Sequence, residues 1–209
     1  MHKNLLNRTQ LMKKLIQLFT LFLSIILFAN PGNDNKRIIV IDPGHGGVDS
    51  GVKNDEFQEK EIVLEIARLI KERNPFNDIE FVIIRSGDEQ ISNENRSRLI
   101  NSYQPDLVLS LHIHSNVKST VKGLEAHISP MNRCHEDSEM YANRINEKLM
   151  DLGFENLGIK ENNTKILRDP QSPTVMLHIG HLSNEEDKMF LSNPDNYTKI
   201  ADKILEGIE

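Results

Sequence analysis

Val40-Ile41-Asp42-Pro43-Gly44-His45-Gly46-Gly47 is an apolar, β-branched run that stops at a Pro/Gly turn with one histidine at its tip. Such a run, bounded by a turn signal, predicts a buried strand over Arg37 to Asp42. The break sets His45 at the carboxyl end of that strand, the edge where open α/β sheets gather their ligands. A histidine there is more often hydrogen-bonded than metal-bound, so its meaning depends on what the remaining segments bring to the same edge.

Those segments alternate. Glu61 to Arg73 sets Ile62, Ile66, Leu69 and Ile70 on one helical face and closes at Asn74-Pro75. Ile79 to Arg85 predicts a second strand, Asn93 to Tyr103 a helix, and Asp106 to His112 a third strand. Gly123 to Ser129 reads as a further strand, and Glu136 to Leu152 as a long amphipathic helix stopped by Gly153. Val175 to Ile179 is a strand, and Glu185 to Leu191 and Asp195 to Ile208 are closing helices. This order predicts a single α/β domain whose mostly parallel, twisted sheet is flanked by helices on both faces.

At 209 residues, 38% of them hydrophobic, the chain can bury one sizeable core, assigned to residues 37–209. Ahead of it, Lys3, Arg8, Lys13 and Lys14, with no acid among them, lead into the apolar run Leu15 to Ala29. Residues 1–29 therefore read as a secretory signal peptide or an N-terminal anchor, followed by a linker over 30–36. Leu27-Phe28-Ala29 is a poor small-x-small processing site, which keeps membrane anchoring through residues 12–29 open. Both readings send the domain out of the cytoplasm, to the periplasm or cell envelope. The chain carries 25 Lys and Arg against 31 Asp and Glu, a net charge of −6; without the leader the balance is 21 against 31, or −10. An acidic domain with no basic stripe excludes nucleic acid as a partner. The single cysteine, Cys134, has no partner for a disulfide or a Cys-type zinc site.

His45 and His112 both fall at carboxyl ends of predicted strands, and Glu59 stands just before the first helix. Two His and one Glu form the ligand set of catalytic zinc hydrolases, which leaves a fourth position for water. Spacing alone keeps ordinary hydrogen bonding open for each residue.

Ile39 to Val52 (Ile-Val-Ile-Asp-Pro-Gly-His-Gly-Gly-Val-Asp-Ser-Gly-Val) resembles the opening motif of the zinc-dependent N-acetylmuramoyl-L-alanine amidases of the amidase 3 family. Glu59 to Ala67 is similar to that family's second motif, and Asn95 to Asn101 to its arginine-containing helix. Asp106 to Asn116, Gly123 with Glu125, and Leu177 to Asn184 follow in the family's order. The resemblance implies that His45, Glu59 and His112 bind Zn²⁺. It also implies that the substrate is peptidoglycan, cut at the amide between the lactyl group of N-acetylmuramic acid and L-alanine. Arg168 stands where the family often has an arginine, to contact a substrate carboxylate or to form a structural salt bridge. Arg96 and Arg98 are expected to brace their helix against the sheet.

The departures cluster at the end of the chain. Where the family carries a catalytic glutamate in Val-Glu-x-Gly-Phe, this chain reads Leu177-His178-Ile179-Gly180-His181. His114 stands where the family commonly has Asn or Asp, and His114 and His181 join Arg168 as expected substrate contacts. Five of the eight histidines thus fall in segments expected to converge, while His2, His127 and His135 do not. Three readings of His178 follow: a general base and acid replacing Glu, a fourth zinc ligand, or the mark of a catalytically impaired domain that binds or regulates at peptidoglycan.

Overall fold

Ile39, Val40 and Ile41 are fully buried, and the run forms β1 (Arg37–Pro43). A computed structural model describes residues 36–53 and 57–209, so the expected leader lies outside the described residues. After β1 come α1 (Glu59–Glu72), β2 (Ile79–Ile83), α2 (Asn93–Ser102) and β3 (Leu107–His114). β4 (Leu124–Ile128), α3 (His135–Met150), β5 (Asn156–Glu161) and the single-turn α4 (Lys165–Arg168) follow. β6 (Thr174–His181), α5 (Glu185–Leu191) and α6 (Asp195–Ile208) complete the order.

The sheet runs β2-β1-β3-β6-β4-β5. β2, β1, β3 and β6 are mutually parallel along the sheet, β4 runs antiparallel to β6, and β5 pairs parallel with β4. Side chains alternate between faces along each strand, and the alternation sorts this chain sharply. Ile39, Ile41, Leu107, Leu109, Leu111, Leu177 and Ile179 share the larger core with residues of α1, α3 and α6. Val40, Val108 and Met176 face the other way, onto Ile100 of α2 and Ile166 and Leu167 of α4. One face therefore lies under three long helices and the other under ten residues of α2 and one turn of α4.

Local chemistry closes the elements. Ser92 caps α2 by accepting from the Asn95 N–H, and Asn184 caps α5 by accepting from Glu186 and Asp187. Two elements have no counterpart in the sequence reading. β5 is an edge strand, half exposed and carrying Gly158, so it lacks the apolar alternation that marks a strand. α4 is too short to show a period. β3 and β6 also run further than their apolar stretches, to His114 and His181, because ladder pairing continues beneath polar side chains.

Candidate active site

The turn after β1 is what aims His45. His45 has φ 61°, and Gly46 and Gly47 also have positive φ. A non-glycine residue in the left-handed region costs on the order of 1–3 kcal/mol and must be held there by its surroundings. Two arginines do the holding. Arg85 donates to the carbonyls of Pro43 (3.3 Å) and Gly44 (2.9 Å). Arg96 donates to the carbonyls of Pro43 (2.9 Å) and His45 and pairs with the buried Asp42 carboxylate. Ser110 Oγ donates to the other Asp42 oxygen at 2.8 Å. Arg96 thus braces the turn, as its helix position suggested, while Arg98 pairs at the surface with Glu94.

Glu59 opens α1 rather than preceding it, and its side chain is buried at the centre of the site. Its Oε1 lies 3.0 Å from His45 Nε2 and 2.9 Å from His112 Nδ1, and accepts from the Ile113 N–H at 2.9 Å. Its Oε2 accepts from the Val52 N–H at 2.8 Å. Burial alone would raise the Glu59 carboxyl, but the His112 and His45 bonds outweigh it and hold the group well below the usual carboxylate range. His45 shows the converse: burial lowers it, and the bonds to Glu59 and Asp49 outweigh that and raise it. The expected trio is brought together, with one ligand atom from each residue within 4.8 Å of the others. Two imidazole nitrogens and a carboxylate oxygen aimed at one point fit a Zn²⁺ ion by donor chemistry. Beside them lies a cleft of about 580 Å³, lined by His45, His112, Asn95, Ile166 and Met176 among others.

Asp49 was not singled out in the sequence, although it lies inside the opening motif. Its carboxylate takes His45 Nδ1 at 2.9 Å, the outer partner that fixes a ligand imidazole's orientation. Gly51 is equally tied to the trio. It has φ +64°, and a Cβ there would lie 2.4 Å from Glu59 Oε2 and 2.6 Å from His45 Cδ2. Gly51→Ala is therefore expected to spread the trio and weaken zinc binding by about 10–100-fold. Competition with a chromophoric chelator measures this, and unchanged affinity would refute the packing argument.

The remaining histidines follow from alternation. His112, His114 and His178 share the thinly covered face with Met176. β4 is antiparallel to β6, so its first residues meet the carboxyl end of the sheet, with Glu125 directly opposite His178. His127, two residues on, points to the same face, its ring centroid 4.4 Å from that of His178. His127 was set aside in the sequence reading; the signal that finds it is the i, i+2 spacing from Glu125. The His178 ring is 5.7 Å from His112 and 5.0 Å from His114. Burial first, and then the charges of His112, His127 and His114, push the His178 imidazole down to about 2, so it is neutral at physiological pH.

The three expected substrate contacts separate. His114 is partly exposed beside His178. His181 is 1% exposed, its ring 5.0 Å from His114 and its N–H held by Asp187, so it lies behind the site. Arg168 pairs with its neighbour Asp169 at 2.8 Å, the structural salt bridge of the two roles weighed for it, and is not among the residues lining the cleft.

Residues 39–209 match the family model described as N-acetylmuramoyl-L-alanine amidase. The chain belongs to this amidase family. Among similar proteins, LytC, an N-acetylmuramoyl-L-alanine amidase of Bacillus subtilis, is 30% identical over 170 residues, covering 81% of this chain and 34% of LytC. The uncharacterised protein YqiI of the same organism is 29% identical over 174 residues, covering 83% of this chain and 84% of YqiI. The crystal structure of an N-acetylmuramoyl-L-alanine amidase from Clostridium difficile 630 superposes with a TM-score of 0.78 at 27% identity, over 83% of this chain and 95% of that one. The chain thus spans about a third of the length of LytC but nearly all of the solved Clostridium difficile chain.

Proposed function

We propose that the protein hydrolyses the amide bond between N-acetylmuramic acid and L-alanine in peptidoglycan, with Zn²⁺ held by His45, Glu59 and His112. The observation that carries this reading is the convergence of both imidazoles on Glu59 Oε1, at 2.9 and 3.0 Å, within an amidase-family domain. When bound, the ion polarises the scissile carbonyl and draws the pKa of a water towards neutrality. The chain's own residues do the rest. Asp49 fixes the His45 ring through Nδ1, which leaves Nε2 for the shared point. The adjoining cleft takes glycan and stem peptide. His178 stands on the same face where the resemblance puts a glutamate, neutral and held well below the range in which an imidazole accepts a proton, and His114 is the neighbouring group open to substrate. The working place of such an enzyme is the cell envelope, reached by export through residues 1–29. Among the described residues no helix is long and apolar enough to cross a membrane.

A second reading, a catalytically impaired amidase fold that binds or regulates at peptidoglycan, is favoured by one observation: the residue in the glutamate's place is an imidazole. A digest of purified sacculi by the wild type and by His178→Glu separates the two. Release of stem peptides by the wild type is expected, with His178→Glu about 10–100-fold faster, since a well-placed general base is worth on the order of 10²–10⁴ in rate. Release by the Glu variant alone would establish the second reading. Release by neither would overturn the hydrolase.

A further inference from the structure

Glu125, His127 and His178 form a second group of potential ligands, and none of them belongs to the His45–Glu59–His112 trio. One ligand atom from each lies within 4.8 Å of the others. We propose that these three residues bind a second divalent transition-metal ion, Zn²⁺ or one of similar ligand preference, beside the first site. Donor chemistry points to this class. Two imidazoles and one carboxylate suit borderline cations such as Zn²⁺ and are too nitrogen-rich for Ca²⁺ or Mg²⁺.

The sheet itself assembles the group. Glu125 and His178 are directly opposed across the antiparallel pair, where facing side chains stand close enough to share a ligand. His127 follows Glu125 by two residues and so presents to the same face. The residues are enclosed: His178 is 9% exposed, and Glu125 and His127 are partly buried.

His178 supplies an independent sign. Its Nδ1 is buried and has no hydrogen-bond partner among the described residues. Buried polar atoms are almost always paired, so an orphan calls for an explanation, and a bound ion is one that fits here. His127 Nε2 lies 2.5 Å from Glu125 Oε1, and the proton shared between them is the one that a cation displaces. The other nitrogen of His127 faces the Asn162 amide at 3.2 Å, an outer contact that orients the ring. The two groups adjoin through the rings of His112 and His178, 5.7 Å apart. Cation binding and proton acceptance by His178 exclude each other, because both use the imidazole lone pair.

The inference goes beyond the hydrolase reading and is tested without substrate, so the failure of one is distinct from the failure of the other. The full-length protein is dialysed against micromolar Zn²⁺, and bound zinc is counted by elemental mass spectrometry. About two ions per chain are expected for the wild type. About one is expected in each of His127→Phe, Glu125→Gln and His45→Ala, the last keeping the second ion. Circular dichroism and thermal unfolding accompany each count. Glu125→Gln keeps a hydrogen-bond acceptor for His127, so it decides the matter if His127→Phe fails to fold. A single ion in the wild type, or two ions in Glu125→Gln, would overturn the proposal. So would a wild type with one ion that His178→Ala loses, since His178 would then be a fourth ligand of the first site.

Discussion

His45→Asn is expected to strip zinc from the His45–Glu59–His112 trio and to lower stem-peptide release by more than about 10³-fold, because the water-activating power of the ion goes with it. Asparagine is the informative replacement. His45 sits at φ 61°, a conformation that asparagine adopts more readily than alanine does. The turn is therefore kept while the imidazole is lost. His45→Ala removes the same ligand but adds backbone strain, so the two variants should match in lost zinc and lost release and differ in melting temperature. In either variant Glu59 Oε1 keeps the His112 and Ile113 contacts, 2.9 Å each, so the core beneath the site stays anchored. Zinc content, sacculus digestion and thermal unfolding check the three parts of the expectation. Release above a tenth of the wild-type rate in a His45→Asn protein that has lost the trio's ion would remove that ion from the mechanism.

Much of this site is legible in the sequence because strand ends announce themselves. Ile39-Val40-Ile41 stops at Pro43-Gly44, and Val108-Leu109 runs on to His112, so the apolar runs alone set both histidines at strand ends. Glu59 is suggested by its place at the start of the first helix, but one glutamate there looks like many others, and the family resemblance adds what position alone lacks. Asp49 and Gly51 escape notice because their roles arise from the left-handed turn, and a φ angle at a histidine has no signature in composition. His127 escapes for a different reason. Its segment reads as a strand, but whether a strand is parallel or antiparallel depends on pairing with β6, far away in the chain. In a parallel arrangement Glu125 would not stand opposite His178, and the second group of ligands would not exist. β5 goes unseen because an edge strand, half exposed, need not alternate. For Arg168 the sequence leaves a substrate contact and a structural salt bridge open together, because its partner Asp169 is a neighbour whose pairing only the fold displays.

Arg96→Met is expected to cost about 3–5 kcal/mol of stability, the usual penalty for removing one member of a buried ion pair. Arg96 is 4% exposed and Asp42 1%. Methionine fills much of the same volume but gives Asp42 no donor, which leaves the carboxylate with Ser110 Oγ alone among its side-chain partners. The carbonyl of His45 also loses its guanidinium donor, so the strained turn loosens at the residue that carries the first ligand. For a domain of this size each kcal/mol moves the melting temperature by about 2–4 °C, so a fall of about 6–20 °C is expected. Adding Asp42→Asn removes the uncompensated charge and should recover a substantial part of that loss. It does not restore the His45 anchor, because the guanidinium that donates to the His45 carbonyl is still missing. The double variant is therefore expected to melt higher than Arg96→Met while binding zinc no better. That split distinguishes a brace for the metal site from a pair that only stabilises the sheet. Equal recovery of melting temperature and zinc affinity would mean that Arg96 serves Asp42 alone, and a loss below about 1 kcal/mol would mean that the buried pair contributes no more than an exposed one does.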